Sequence, residues 1–88
     1  MWEITLTRQT EKFLEKKHIS EDRILSLVKD FIKYCRSEQV NLDVRKMKGR
    51  WKGYHRIRTG KIRMILKMDV EHRTIVVDRV DYRGHVYR

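Results

Sequence analysis

The sequence predicts an α+β fold in which a strand and two helices precede a three-stranded antiparallel meander, in the order β-α-α-β-β-β, with the sheet packed against the two N-terminal helices. Three observations predict it. Apolar residues recur at helical spacing from Ile24 to Cys35 and switch to strict alternation beyond Tyr54. Helix-start residues, Thr7 and Ser20, stand ahead of the two helical segments. Thr59-Gly60 breaks the alternating part where a hairpin would turn.

Trp2, Ile4 and Leu6 alternate with Glu3, Thr5 and Thr7, as in a strand with one buried face. Thr7 then caps a short helix from about Arg8 to Lys17 that turns Phe13 and Leu14 inward, and Lys17-His18-Ile19-Ser20 forms a polar joint. In the second helix Ser20 is the N-cap, Glu21 and Asp22 place negative charge on the first turn, and Ile19 and Ile24 stand as a hydrophobic staple. Ile24, Leu27, Val28, Phe31 and Cys35 make one stripe facing the core until about Ser37, so Cys35 reads as a small core residue rather than a nucleophile.

A polar loop through Asn41 and Asp43 follows. Tyr54, Arg56 and Arg58 then fall on one strand face, with His55 and Ile57 on the other. On the return strand Ile62, Met64, Leu66 and Met68 are apolar, while Lys61, Arg63, Ile65 and Lys67 project oppositely. A second turn near Glu71-His72 leads to Thr74-Ile75-Val76-Val77, apolar on both faces and so flanked by neighbours.

With 88 residues the chain predicts one domain over 1–88, because so short a chain buries too little surface for two cores. No apolar run approaches the ~20 residues of a bilayer span, and no secretory leader is visible, so the expectation is a cytoplasmic protein away from membranes. One cysteine excludes an internal disulfide and any Cys-x-x-Cys motif, and four histidines without paired spacing predict neither metal nor cofactor.

The charge is concentrated. The net charge is +10, and between Arg45 and Met68 stand ten basic residues and no acid: Arg45, Lys46, Lys48, Arg50, Lys52, Arg56, Arg58, Lys61, Arg63 and Lys67. The rest of the chain is balanced. Interleaved with Trp51, Tyr54 and His55, this stretch is patterned as a groove that tracks phosphates while flat rings stack on bases. A face serving only solubility would mix signs. Arg45, Lys46, Lys48, Arg50, Trp51, Lys52 and Lys61 are the expected RNA contacts, Trp51 either stacking on RNA or packing under its own loop.

The segment K-M-K-G-R-W-K-G-Y-H-R-I-R-T-G-K-I-R-M-I-L at 46–66, followed by I-V-V-D-R-V-D-Y-R-G-H-V-Y-R at 75–88, resembles the RelE/ParE toxin superfamily of type II toxin–antitoxin systems, in its RelE branch. The matching pieces are Lys46-Met47-Lys48-Gly49, Tyr54 with Arg56-Ile57-Arg58, Gly60 with Ile62 to Leu66, and Arg83-Gly84-His85-Val86-Tyr87. The resemblance covers essentially the whole chain. It implies the RelE-like microbial RNase fold and a metal-independent endoribonuclease that cuts mRNA in the ribosomal A site by attack of the 2′-hydroxyl, inhibiting translation. It also implies a cognate acidic antitoxin. Carried over by position, Arg56, Arg58, Arg63, Arg83 and Tyr87 match the family's basic and tyrosine catalytic side chains, with arginine at 56 and 58 where the family places lysine.

The residues support the same roles without the family. Arginines keep their proton at neutral pH, so Arg56, Arg58, Arg63 and Arg83 are phosphate clamps and transition-state stabilisers rather than bases. His85, with an ordinary pKa of about 6.5, is the candidate base or else a solvated tail residue. Tyr87 reads as a stacking or phosphate-positioning group before a proton carrier. His55 reads as a packed histidine, and Asp78 and Asp81 as ion-pair partners that orient Arg79 or Arg83. Two alternatives remain: a ParE-like inhibitor of DNA gyrase, and a non-catalytic RNA- or DNA-binding module.

Overall fold

A computed structural model, described for residues 1–82, contains β1 (Glu3–Leu6), α1 (Arg8–Lys17), α2 (Glu21–Cys35), β2 (Asp43–Lys46), β3 (Tyr54–Thr59), β4 (Ile62–Asp69) and β5 (Thr74–Tyr82), with one turn of 3-10 helix at Gly49–Trp51. The α+β class and the order of the expected elements hold. The sheet itself differs in two respects. It has five strands in the order β1-β5-β4-β3-β2, because the presumed loop through Asp43 is an edge strand. It is also mixed, since β1 runs parallel to β5 while every other pair is antiparallel. Two intervening helices carry the chain over one sheet face, which lets β1 meet a distant strand in parallel.

Both helices begin where the sequence places them. Thr7 and Ser20 accept hydrogen bonds from the backbone N–H groups of Thr10 and Arg23, each at 3.2 Å. His18 closes α1 in the left-handed region at φ 57°. Leu14, Ile24, Val28, Phe31 and Ile32 of the helices pack on Ile57, Ile62, Met64, Leu66, Ile75, Val77 and Val80 of the sheet. Cys35 corrects the expected stripe: it is exposed, and Ile32 takes the last buried position of α2. The three residues after it, Lys33, Tyr34 and Cys35, are exposed.

β4 and β5 pair in register from Ile62 to Ile65 and again from Leu66 onward, but Ile65 faces Arg79 while Leu66 faces Val77, so Asp78 is the extra residue of a bulge. Carbonyls at the bulge are satisfied from α1's first turn. Thr7 Oγ1 donates to the Asp78 carbonyl at 2.8 Å, and the fully buried Thr10 donates through Oγ1 to the Val77 carbonyl at 3.1 Å. One N-cap therefore starts a helix and stitches it to β5.

Candidate functional site

The sheet face away from the helices carries the cations. Successive cross-strand rows follow from the register. One row is Asp43, Arg58, Arg63 and Asp81 on β2, β3, β4 and β5; the next on the same face is Arg45, Arg56, Ile65 and Arg79; the third holds Tyr54, Lys67 and Val76. Arg56, Arg58 and Arg63 are thus brought together as expected. Lys46 is not with them. It pairs with His55, which packs edge-on against Phe31 at 5.2 Å, so both belong to the helix side of the sheet. Burial, and then the charge of Lys46, hold the His55 pKa below its usual value.

Two of the arginines are withdrawn from solvent. Arg56 and Arg63 are each only 8% exposed, although their charge cannot be shed. Arg56 Nη2 donates to Asp43 Oδ2 at 3.1 Å, and Arg58 Nη1 lies 3.9 Å from the same oxygen. The Nε atoms of Arg56 and Arg58 are buried and have no hydrogen-bond partner among the described residues. Buried guanidinium donors of this kind are costly unless an anion completes them. A phosphate, with its several acceptor oxygens, suits that need.

The loop between β2 and β3 roofs the other end of this face. Gly49 and Gly53, at φ 67° and 93°, bend it back over the sheet. The Trp51 ring lies 5.3 Å from the Tyr54 ring, and the Arg79 guanidinium sits 5.3 Å above Trp51. Tyr54 and Arg79 are on β3 and β5, so Trp51 bridges across β4, where Ile65 is fully buried outside the main core. Trp51 is thereby packed under its own loop. Arg45, Lys48, Arg50, Lys52 and Lys61 are exposed around the cluster.

Asp43 is the residue of this site that sequence reading missed, because a charged residue in a polar stretch looks like a loop. Asp78 does pair with Arg79, at 3.5 Å. Arg83, His85 and Tyr87 lie outside the described residues. Among the described residues no group of three or more His, Cys, Asp or Glu could hold a metal ion, and no helix is long and apolar enough to cross a membrane.

No family model and no curated protein matches the sequence. Solved structures do. The toxin of the RelB-RelE antitoxin–toxin complex from Methanococcus jannaschii is similar at 28% identity and a TM-score of 0.59, over 94% of both chains. In the RelBE2 toxin–antitoxin complex from Mycobacterium tuberculosis the similarity is 25% identity and a TM-score of 0.62, over 93% of this chain and 98% of that one. YafQ from E. coli matches over the whole of both chains at 16% identity and a TM-score of 0.66, a likeness of fold alone.

Proposed function

We propose that this chain, which has the fold of the RelE-like toxins, is the toxin of a toxin–antitoxin pair and an endoribonuclease that cleaves mRNA on the ribosome. The observation that carries the reading is the burial of Arg56 and Arg63 beside Arg58 on one sheet face, with the Nε donors of Arg56 and Arg58 left without an acceptor among the described residues. A solvated face would leave its arginines extended in water.

In the cleavage, the 2′-oxygen bonds to phosphorus, the bond to the 5′-oxygen breaks, and a 2′,3′-cyclic phosphate and a 5′-hydroxyl result. One proton leaves the 2′-hydroxyl and one reaches the 5′-oxygen. Arg56, Arg58 and Arg63 would stabilise the phosphorane's added negative charge, which needs no proton from them. Proton transfer would fall to His85 or Tyr87, and Arg83 would add a further clamp. Arg45, Lys48, Arg50, Lys52 and Lys61 would guide the strand by its phosphates. The partner would be a cognate acidic antitoxin, whose side chains suit a face of this charge; the similar chains from M. jannaschii and M. tuberculosis were solved in complexes with theirs.

The test adds purified protein to translating ribosomes and maps mRNA ends by primer extension, with a gyrase supercoiling assay alongside. Cuts at the A-site codon that disappear with the antitoxin are expected. Inhibited supercoiling without cuts would replace this reading with the gyrase-directed one, and binding without either effect would leave a nucleic-acid-binding module.

A further inference from the structure

We infer that Asp43 is a positioning residue for the nuclease site: its carboxylate fixes the Arg56 guanidinium, and through it the site's phosphate-facing donors. The inference rests on the nuclease reading above.

Asp43 belongs to the short edge strand β2 and stands opposite Arg58, one row from Arg56 on the same face. Its Oδ2 accepts from Arg56 Nη2 at 3.1 Å and lies 3.9 Å from Arg58 Nη1, so one oxygen serves both cations. The partners differ in exposure. The Arg56 side chain is 9% exposed and the Asp43 side chain 50%. A nearly buried cation is held from its solvent side by a carboxylate on the rim.

The geometry of the fork decides what this does. A guanidinium is planar, so fixing one Nη fixes the directions of all five N–H donors. With Nη2 tied to Asp43, the Nε–H of Arg56 is left pointing where no acceptor among the described residues meets it. Without the tie the group rotates about its last torsions, and the donors must be ordered anew in each transition state. A misplacement of about 1 Å at such a site costs on the order of 10²-fold in rate. Asp43 also carries a negative charge beside the expected phosphate, so it opposes binding slightly while aiding the chemical step. Positioning therefore predicts a split between affinity and turnover that a merely structural ion pair does not.

The experiment measures cleavage on programmed ribosomes and, separately, equilibrium binding of a 2′-deoxy single strand that cannot be cut. Asp43→Asn is expected to lower kcat about 10- to 100-fold, to leave KM within about threefold, and to bind the uncleavable strand as tightly as the parent or more so. Asp43→Glu, which keeps the charge, is expected to recover part of the rate. In an Arg56→Ala background Asp43→Asn should cost nothing more, since the two residues act as one unit. Thermal melts accompany each variant. A folded Asp43→Asn protein that cleaves at the parental rate or faster overturns the proposal, as does full additivity with Arg56→Ala. If Asp43→Asn melts early, the additivity arm is read at a temperature where both proteins are folded. A parent that cleaves no RNA overturns the nuclease reading first and this inference with it.

Discussion

Arg58 on β3 and Arg63 on β4 stand directly opposite one another, two cations in a single cross-strand pair. Like charges so placed are destabilising. The strands on either side, β2 and β5, answer with acids, Asp43 opposite Arg58 and Asp81 opposite Arg63, so the row reads acid, arginine, arginine, acid. Two positive groups thus stand side by side with one acid on each side of them in the row.

Replacing Arg63 by Ala, and to a lesser degree Arg58 by Ala, is expected to reduce mRNA cleavage by about 10²–10³-fold, the scale for one preorganised transition-state partner. Ile62, Met64 and Leu66 pack on the helices from the other face of β4. The melting temperature should therefore move by less than about 8 °C, equivalent to about 1 kcal/mol in a domain of this size. Parental cleavage by a folded Arg63→Ala protein would remove it from the site.

Single-strand binding should weaken with salt, with each phosphate contact adding about −0.7 to the log–log slope. Arg45 shares the arginine face and Lys46 the helix face. Arg45→Ala is expected to flatten the slope by about 0.7, and Lys46→Ala to leave it unchanged. Anisotropy titrations of an uncleavable strand between roughly 50 and 200 mM salt make the comparison; equal effects of the two variants would show that RNA is not confined to one face.

Trp51 exchanges an aromatic contact with Tyr54 and a cation–π contact with Arg79 for exposure when truncated. Trp51→Ala should destabilise the protein by about 1–2 kcal/mol, and Trp51→Phe by less, in urea unfolding. No loss in Trp51→Ala would mean that the roof over Ile65 is carried by the loop backbone alone.

His55 makes stability depend on pH. In the unfolded chain its imidazole titrates near 6.5; in the folded chain burial and then Lys46 lower that value. Protonation thus favours unfolding. The stability contributed by neutral His55 is complete above about pH 6.5 and is lost as pH falls through the lowered folded value. Urea midpoints taken from about pH 8 to about pH 5.5 should fall in the parent and fall less in His55→Phe, whose ring can still pack on Phe31. Parallel curves would assign the loss to other groups.

Much of this site could be read from residue order because strands enforce a period of two. The alternation of Tyr54, Arg56 and Arg58 with His55 and Ile57, and of Arg63 with Ile62 and Met64, places the arginines on one face before any pairing is known. Capping residues were equally legible, since Thr7 and Ser20 act on backbone groups three positions away. β2 was not. Asp-Val-Arg-Lys holds one apolar residue among three charges, as an edge strand wet along one side can, and so carries no periodic signal. Missing the strand meant missing Asp43's place beside Arg56. The error at Cys35 has a related origin: helical spacing tells which side of α2 faces inward but not how far along the helix that side stays covered. The parallel pairing of β1 with β5 depends on how the chain travels between them, which no local pattern records.

That long-range pairing sets an order of assembly. The Thr7 hydroxyl bonds a carbonyl 71 positions later, and among the described residues β1 pairs with β5 alone. Contacts between residues so far apart in sequence are the slow ones to form. During synthesis the first strand and the cap of α1 must wait for the strand that contains Val77 and Asp78, and that same strand brings Asp81 to the end of the arginine row. A nascent chain stopped before β5 cannot display Asp43, Arg58, Arg63 and Asp81 together, so completion of the scaffold and completion of the charged row are one event in time.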